Sequence, residues 1–275
     1  MAYDFTDAIA IVTGGSSGIG LATAVALAER GAHVAIVARD PEKLESAKAR
    51  IRAARADASQ RVLSASADLS QFNQTKTVID RLAADGMVPD ILVNSAGTIL
   101  PGEFSSMPLE FLTRNMESGY FSVVWPCRAT VPYMIERGSG HIVNVSSVAG
   151  FLGVYGYTGY AAAKYATMGF TEALRCEMKP HGVRVSVVCP PDTDTPALQY
   201  EKTLRPPETD ALAGKIKPVP PERVADAIVR GIERNKYYMI PDLTSRFYMR
   251  LKGVLPELFF AIVDGDVAKA RRGRA

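Results

Sequence analysis

A short apolar run, Ala8 to Val12, leads straight into Thr13-Gly14-Gly15-Ser16-Ser17-Gly18-Ile19-Gly20, and an Ala/Leu-rich stretch continues to Arg30. Strand, glycine turn, helix is a restrictive order. Glycines let the backbone pass close to a pyrophosphate, and a helix N-terminus offers unpaired N–H groups with a partial positive charge. The spacing is GxxxGxG rather than the GxGxxG of many dinucleotide loops. A second apolar run, His33 to Ala38, completes a βαβ unit of the expected length.

The same alternation runs through the chain. Strands are expected at Ile9–Val12, His33–Ala38, Val62–Ala67, Ile91–Val93, His141–Ser146, Arg184–Cys189 and Tyr238–Ile240. Helices are expected at Gly18–Arg30, Pro41–Ala56, Gln71–Ala84, Pro108–Arg137 (in one piece or two), Tyr157–Lys179 and Pro221–Asn235. Strands separated by helices imply one α/β unit, a doubly wound seven-stranded parallel sheet with helices on both faces. Ligands bind such sheets at the carboxyl ends of the strands, where the motifs of this chain fall. Residues 1–245 are assigned to this domain. Within it, 190–221 is rich in proline and charge and reads as a lid, or else as a plain surface excursion. Residues 246–275 form an apolar and basic C-terminal extension.

Composition narrows the class. A formal charge of +3 over 275 residues gives no argument for nucleic acid. Cys127, Cys176 and Cys189 lack metal spacing and form no disulfide framework, so no metal is expected and a reducing compartment fits. The start, MAYDFTDA, lacks the basic and apolar pattern of a signal peptide, and no run of 18 apolar residues occurs. A cytoplasmic location is expected. From Phe247 to Val263 large apolar residues accumulate, followed by Lys269-Ala270-Arg271-Arg272-Gly273-Arg274. That pattern suits peripheral contact with a membrane, and equally packing on the core or across a subunit interface.

The chemistry concentrates around residue 160. Tyr160 and Lys164 stand at i and i+4, one turn apart on the same helix face, with Ser147 thirteen residues upstream. A phenol titrates near ~10, and a cation about 4–6 Å away favours the phenolate. Lys164 is therefore expected to lower the Tyr160 pKa. After the second strand no acid stands at the tip, where a carboxylate would bond a ribose diol; Arg39 and, one turn on, Lys43 stand there instead. Two cations suit a 2′-phosphate and point to NADP(H), with Ser16 and Ser17 nearby. Asp40 is an alternative partner for the ribose.

Together TGGSSGIG, Asn94-Ser95-Ala96-Gly97 and Ser147…Tyr160-xxx-Lys164 resemble the short-chain dehydrogenase/reductase family, from Ala8 to about Pro241. The resemblance implies a Rossmann-type fold, a homo-oligomer (dimer or tetramer), and hydride exchange between NADP(H) and a carbonyl. Tyr160 would be the proton donor, Lys164 its partner and a ribose ligand, and Ser147 the donor holding the carbonyl oxygen. Gly14, Ser16, Ser17, Gly18, Ile19 and Gly20 would cradle the pyrophosphate. Asp68 and Leu69 would meet the adenine, although Asp68 or Ser70 could instead cap the following helix. Asn94, Ala96, Gly97, Pro190 and Thr193 complete the cofactor set. Ser146 is expected to turn away from the site. The chain departs from the family at Gly119, where an asparagine is expected; its carbonyl would bind a relay water. Glycine retains that carbonyl, and Asn115 one turn earlier is a candidate substitute.

A narrower resemblance, to 3-ketodihydrosphingosine reductases, lies in Cys189–Pro196, Lys202–Thr209 and Phe151–Tyr160. It implies reduction of 3-ketosphinganine by NADPH. Phe151, Leu152, Val154 and Tyr155 are expected to form an apolar lip for the alkyl tail. Asp192 and Asp194 would attract the ammonium, or cap the next helix. A reductase of other lipophilic carbonyls and a non-catalytic dinucleotide sensor are the competing readings.

Overall fold

The computed structural model describes residues 3–209 and 217–272. Seven strands, β1 (Ile9–Thr13), β2 (His33–Ala38), β3 (Val62–Ser66), β4 (Ile91–Asn94), β5 (Gly140–Val145), β6 (Val183–Val188) and β7 (Tyr238–Met239), form one sheet in the order β3-β2-β1-β4-β5-β6-β7. Every pairing is parallel. Thr13 at the end of β1 pairs with Val37 on one side and Asn94 on the other. The strand order reverses between β1 and β4, so the two adjacent crossovers leave in opposite directions and open a crevice there.

The central strands are buried on both faces, as β-branched runs such as His33–Ala38 require. Successive side chains feed opposite layers. Ala10 and Val12 pack with α1 (Gly18–Ala28), α2 (Pro41–Ala53) and α8 (Pro221–Glu233). Ile11 packs with α3 (Phe72–Ala84), α5 (Ser122–Arg137) and α6 (Thr158–Met178). Each fully buried Ile or Leu contributes about 1.5–3 kcal/mol relative to exposure, and these layers hold Ile11, Leu27, Ile36, Leu92 and Ile142.

The expected helix 108–137 is interrupted. It begins as α4 (Leu109–Met116), widens into a π-turn at Glu117–Phe121, and resumes as α5. A Cβ on Gly119 in that turn would lie 3.0 Å from the Ala163 Cβ of α6. Glycine there allows the two helices to approach closely.

Within 190–221 lies the short helix expected after Asp194, α7 (Pro196–Lys202), with Pro at its first turn and Thr195 as its cap. Thr195 Oγ1 accepts from Leu198 N at 3.2 Å, so neither Asp192 nor Asp194 caps it. Residues 210–216 of the expected lid lie outside the described residues, as do 273–275 of the basic tail.

The C-terminal extension is a helical hairpin, α9 (Leu243–Val254) and α10 (Pro256–Arg272). Phe259 is buried against Tyr248 and Lys252, while Leu243, Phe247, Val254, Leu255, Leu258 and Phe260 remain exposed. Lys252 Nζ ties the hairpin to the body through the Phe151 carbonyl at 2.7 Å and the Tyr165 hydroxyl at 2.6 Å. No described helix is long and apolar enough to cross a membrane.

Candidate active site

A cleft of about 670 Å³ runs along the carboxyl ends of the strands. It joins Arg39, Asp40 and Lys43 at one end to Ser147, Tyr160 and Lys164 at the other. Gly14, Ser16, Ser17, Gly18, Ile19, Asp68, Leu69, Ala96, Gly97, Pro190 and Thr193 line it between them. Two expected cofactor residues lie behind its wall. Gly20 packs on the loop, where a Cβ would fall 2.3 Å from the Gly14 carbonyl oxygen. Asn94 is fully buried, its amide donating to Asn144 Oδ1 at 2.9 Å and to Cys127 Sγ at 3.2 Å, so it braces β4 against β5.

The glycine loop is shaped by backbone constraints. Gly14 has φ +67°, and a Cβ there would meet Ala96 N at 2.7 Å. No L side chain fits that position without displacing the β4 loop. Ser17 caps α1 by position but makes no side-chain bond to its first turn. The N–H groups of that turn therefore face the cleft with their dipole. At the β2 tip, Asp40 is engaged elsewhere. It caps α2 through Glu42 N and Lys43 N, both at 3.1 Å, and pairs with Lys43 Nζ at 3.3 Å. Those bonds, the one from the Lys43 backbone first, hold its carboxyl below the usual range. Arg39 stays exposed at the cleft's edge. Asp68 caps no helix: Oδ1 accepts from Ser70 N at 3.0 Å and Ser70 Oγ at 2.8 Å, and Gln71 occupies the cap position of α3. A glycine cradle, a helix N-terminus and a basic tip in one crevice fit a phosphorylated dinucleotide.

At the other end Ser147 begins the short 3₁₀ turn after β5, its Oγ accepting from Ala149 N at 3.1 Å. Its proton is left for a partner, and its hydroxyl acts to lower the Tyr160 phenol. Ser146 points away as expected, donating to the Lys164 carbonyl at 3.0 Å. Lys164 Nζ donates to the Val145 carbonyl at 3.0 Å and lies 5.7 Å from the Tyr160 ring centroid. Burial pushes the Tyr160 phenol above its ordinary value, opposed by the bond from Ser147 and reinforced by Asp192 and Glu201. Burial also pushes the Lys164 ammonium down to about 8. The expectation of a phenol lowered by its lysine is thus reversed in this structure, because desolvation dominates both groups.

Gly119 retains its carbonyl, which accepts from Thr167 Oγ1 at 3.1 Å. Asn115 does not replace the family asparagine. It is fully buried and holds Leu100 through both backbone groups, N–H at 3.1 Å and C=O at 2.9 Å.

The substrate wall differs from the expected lip. Phe151 and Leu152 pack with Val187, Cys189 and Ile240, Val154 packs beside Tyr157 and Tyr160, and Tyr155 donates to Glu103 at 2.8 Å. None of the four lines the cleft; Ile99, Leu100, Tyr157, Leu198 and Tyr200 do. Asp192 also lines it, and Asp194 does not. Asp194 instead accepts from Gln199 Nε2 at 2.9 Å. Leu100, Tyr157 and Leu198 were not singled out from sequence, since only the folded loops bring them together. Among the described residues no cluster suited to a metal ion occurs.

The model of the short chain dehydrogenase family matches residues 8–205. A 3-ketodihydrosphingosine reductase of Mus musculus is 40% identical over 244 residues, which cover 85% of this chain and 73% of that protein. A short chain dehydrogenase/reductase of Burkholderia phymatum, solved in complex with NAD, superposes with a TM-score of 0.82 at 25% identity, covering 93% of this chain and 96% of that one. An NADPH-bound short chain oxidoreductase of Pseudomonas aeruginosa PAO1, whose catalytic center is described as atypical, gives 0.75 at 25% identity, covering 86% and 96%.

Proposed function

This chain belongs to the short-chain dehydrogenase/reductase family of oxidoreductases, and from that premise we propose that it is an NADPH-dependent ketoreductase that converts 3-ketosphinganine to sphinganine. The observation that carries this reading is the single cleft joining Arg39 and Lys43 to Ser147, Tyr160 and Lys164. The similar structures hold NAD in one case and NADPH in the other, so the preference is argued from this chain's own cations. Arg39 and Lys43 would meet a 2′-phosphate, while Asp40 is committed to α2.

The bound dinucleotide supplies the hydride. Ser147 donates a hydrogen bond to the substrate carbonyl oxygen, and Tyr160 gives that oxygen its proton as negative charge develops there. A phenol held above its ordinary value stays protonated at neutral pH, the form that reduction requires. The resulting phenolate is stabilised by Ser147 and by the Lys164 ammonium. With a value near 8, Lys164 lies close enough to neutrality to return a proton to the phenolate after each turnover.

Ile99, Leu100, Leu198 and Tyr200 give the ketone end an apolar wall suited to an alkyl chain. The 3-ketodihydrosphingosine reductase name of the Mus musculus relative supports the sphingoid substrate. The exposed Leu243, Phe247 and Val254 stand beside Arg246 and Arg250 on a helix without acids, and contact of this face with an anionic lipid surface belongs to the same reading. Co-sedimentation with anionic but not neutral vesicles tests that contact, and a concentration-dependent dimer without vesicle binding overturns it.

The function is tested by NADPH and NADH consumption with 3-ketosphinganine, an acetoacetyl thioester and a steroid ketone. Preferential turnover of 3-ketosphinganine with NADPH is expected. Faster turnover of another carbonyl would reassign the enzyme, and binding without turnover of any would make it a dinucleotide sensor.

A further inference from the structure

Building on the ketoreductase reading, we propose that Asp192, backed by the buried Glu201–Arg205 pair, binds a cationic group beside the reacting carbonyl, so that the cleft selects long-chain amino ketones over neutral ones. The charged groups form a chain behind one wall. Arg205 donates through Nε to Glu201 Oε1 at 2.6 Å and through a terminal nitrogen to Asp192 Oδ2 at 2.7 Å. The side chains of Arg205 and Glu201 are 1% and 0% exposed, whereas that of Asp192 is 29% exposed and lines the cleft.

Two carboxylates therefore share one guanidinium. Glu201 Oε1 also accepts from the Tyr157 hydroxyl at 2.6 Å, and Glu201 Oε2 is buried with no hydrogen-bond partner among the described residues. Among the described residues this wall sets two carboxylates against the Arg205 guanidinium. Its position is specific. The Tyr157 ring packs edge-to-face on Tyr160 at 5.6 Å, and the negative charges of Asp192 and Glu201 act on the Tyr160 hydroxyl. On the opposite side Lys164 is directed to the Val145 carbonyl, and Arg114 and Glu117 bring one charge of each sign.

A substrate whose carbonyl oxygen meets Ser147 and Tyr160 thus presents its neighbouring carbons to a partly exposed carboxylate. An ammonium there gains a charge-assisted hydrogen bond, whereas an amide or a methylene gains none. Because Arg205 fixes one oxygen of Asp192 from behind, the carboxylate is oriented before the ligand arrives. Leu198 and Tyr200, both on α7 with Glu201, receive the alkyl part.

Two measurements test this, turnover with NADPH as the hydride source and binding to the NADPH-loaded protein, in which an alcohol ligand is not oxidised. Turnover is compared between a long-chain 2-amino-3-ketone and its N-acetyl derivative, and calorimetry compares binding of the corresponding amino alcohol and its N-acetyl form. The amine should be preferred at least about tenfold in both, as expected for a hydrogen bond to a charged group, chiefly through KM. Asp192→Asn should bring the preference to within about threefold of unity, while Asp192→Glu, which keeps the charge, should retain most of it. Equal handling of the two ligands by the wild type, an undiminished preference in Asp192→Asn, or equal loss in both variants would overturn the assignment. Reduction of both ketones without preference removes this inference alone; amine-selective binding without reduction of any ketone removes the ketoreductase reading instead.

Discussion

The two ends of the cleft are built by different means. The β1–β2 end is made of backbone: a positive-φ glycine, the close approach of Gly14 and Gly20, and the open first turn of α1. The end beyond β5 and β6 is made of side chains from distant segments, with Tyr157, Glu201 and Arg205 joined in a buried chain that ends at the partly exposed Asp192. The backbone part of the first end grips the phosphates common to all dinucleotides, and the β2-tip side chains Arg39 and Lys43 are left to distinguish one dinucleotide from another. A side-chain site can be retuned one residue at a time.

Replacement of the proton donor at the far end should have the largest effect. Tyr160→Phe removes the proton donor while leaving the glycine loop intact, so turnover should fall about 10²–10⁴-fold with dinucleotide affinity retained by calorimetry. Equal loss of both would mean that the phenol shapes the pocket instead of donating a proton. At the backbone end, Arg39→Glu should lower the NADPH/NADH ratio of kcat/KM by roughly a hundredfold, as expected for losing charge-assisted bonds to a phosphate. An unchanged ratio would place the 2′-phosphate elsewhere.

At the side-chain end, Arg205→Met leaves the fully buried Glu201 carboxylate without its guanidinium. Breaking a buried pair costs about 3 kcal/mol, and Tm should fall by roughly 6–10 °C. A loss of less than 1 kcal/mol would show that water reaches the pair. The smallest effect concerns Lys164, whose folded value of about 8 lies below its ordinary 10.5. Between those values the unfolded chain holds a proton that the folded chain lacks, so stability should rise with pH across that window. Below pH 8 both states are protonated and this contribution to the slope vanishes. The buried Cys127 and Cys189 thiols, pushed up to about 12, act in the opposite sense above pH 9, so the Lys164 contribution is read by difference. Denaturant titrations from pH 7 to 10 should show the stability of the wild type relative to Lys164→Met rising across the window.

The same contrast explains what could be read from the chain. The loop Thr13–Gly20, the Tyr160/Lys164 spacing and six of the helices are local patterns, and periodicity or short-range sterics reveals them. The π-turn at Gly119 depends on the space left by Ala163 across the helix interface, which no spacing along the chain encodes. The apolar wall was misplaced for a related reason. Phe151 and Leu152 are apolar and close to Tyr160 in sequence, but the 3₁₀ turn after Ser147 sends them toward Val187 and Ile240. The bounds and cap of α7 are harder to read, because Pro196 and nearby charges suggest a loop, although proline is favourable at a first helical turn. The pairing of Asp192 with Arg205 spans 13 residues and that of Tyr157 with Glu201 spans 44, beyond the reach of local pattern.

The central claim is that both ends serve one reaction, and isotope transfer tests it directly. With NADPH deuterated at both C4 positions and 3-ketosphinganine as substrate, mass spectrometry should find one deuterium on the new carbinol carbon of the wild-type product. Dinucleotide binding with no deuterium in any product, from an intact and folded protein, would contradict the account.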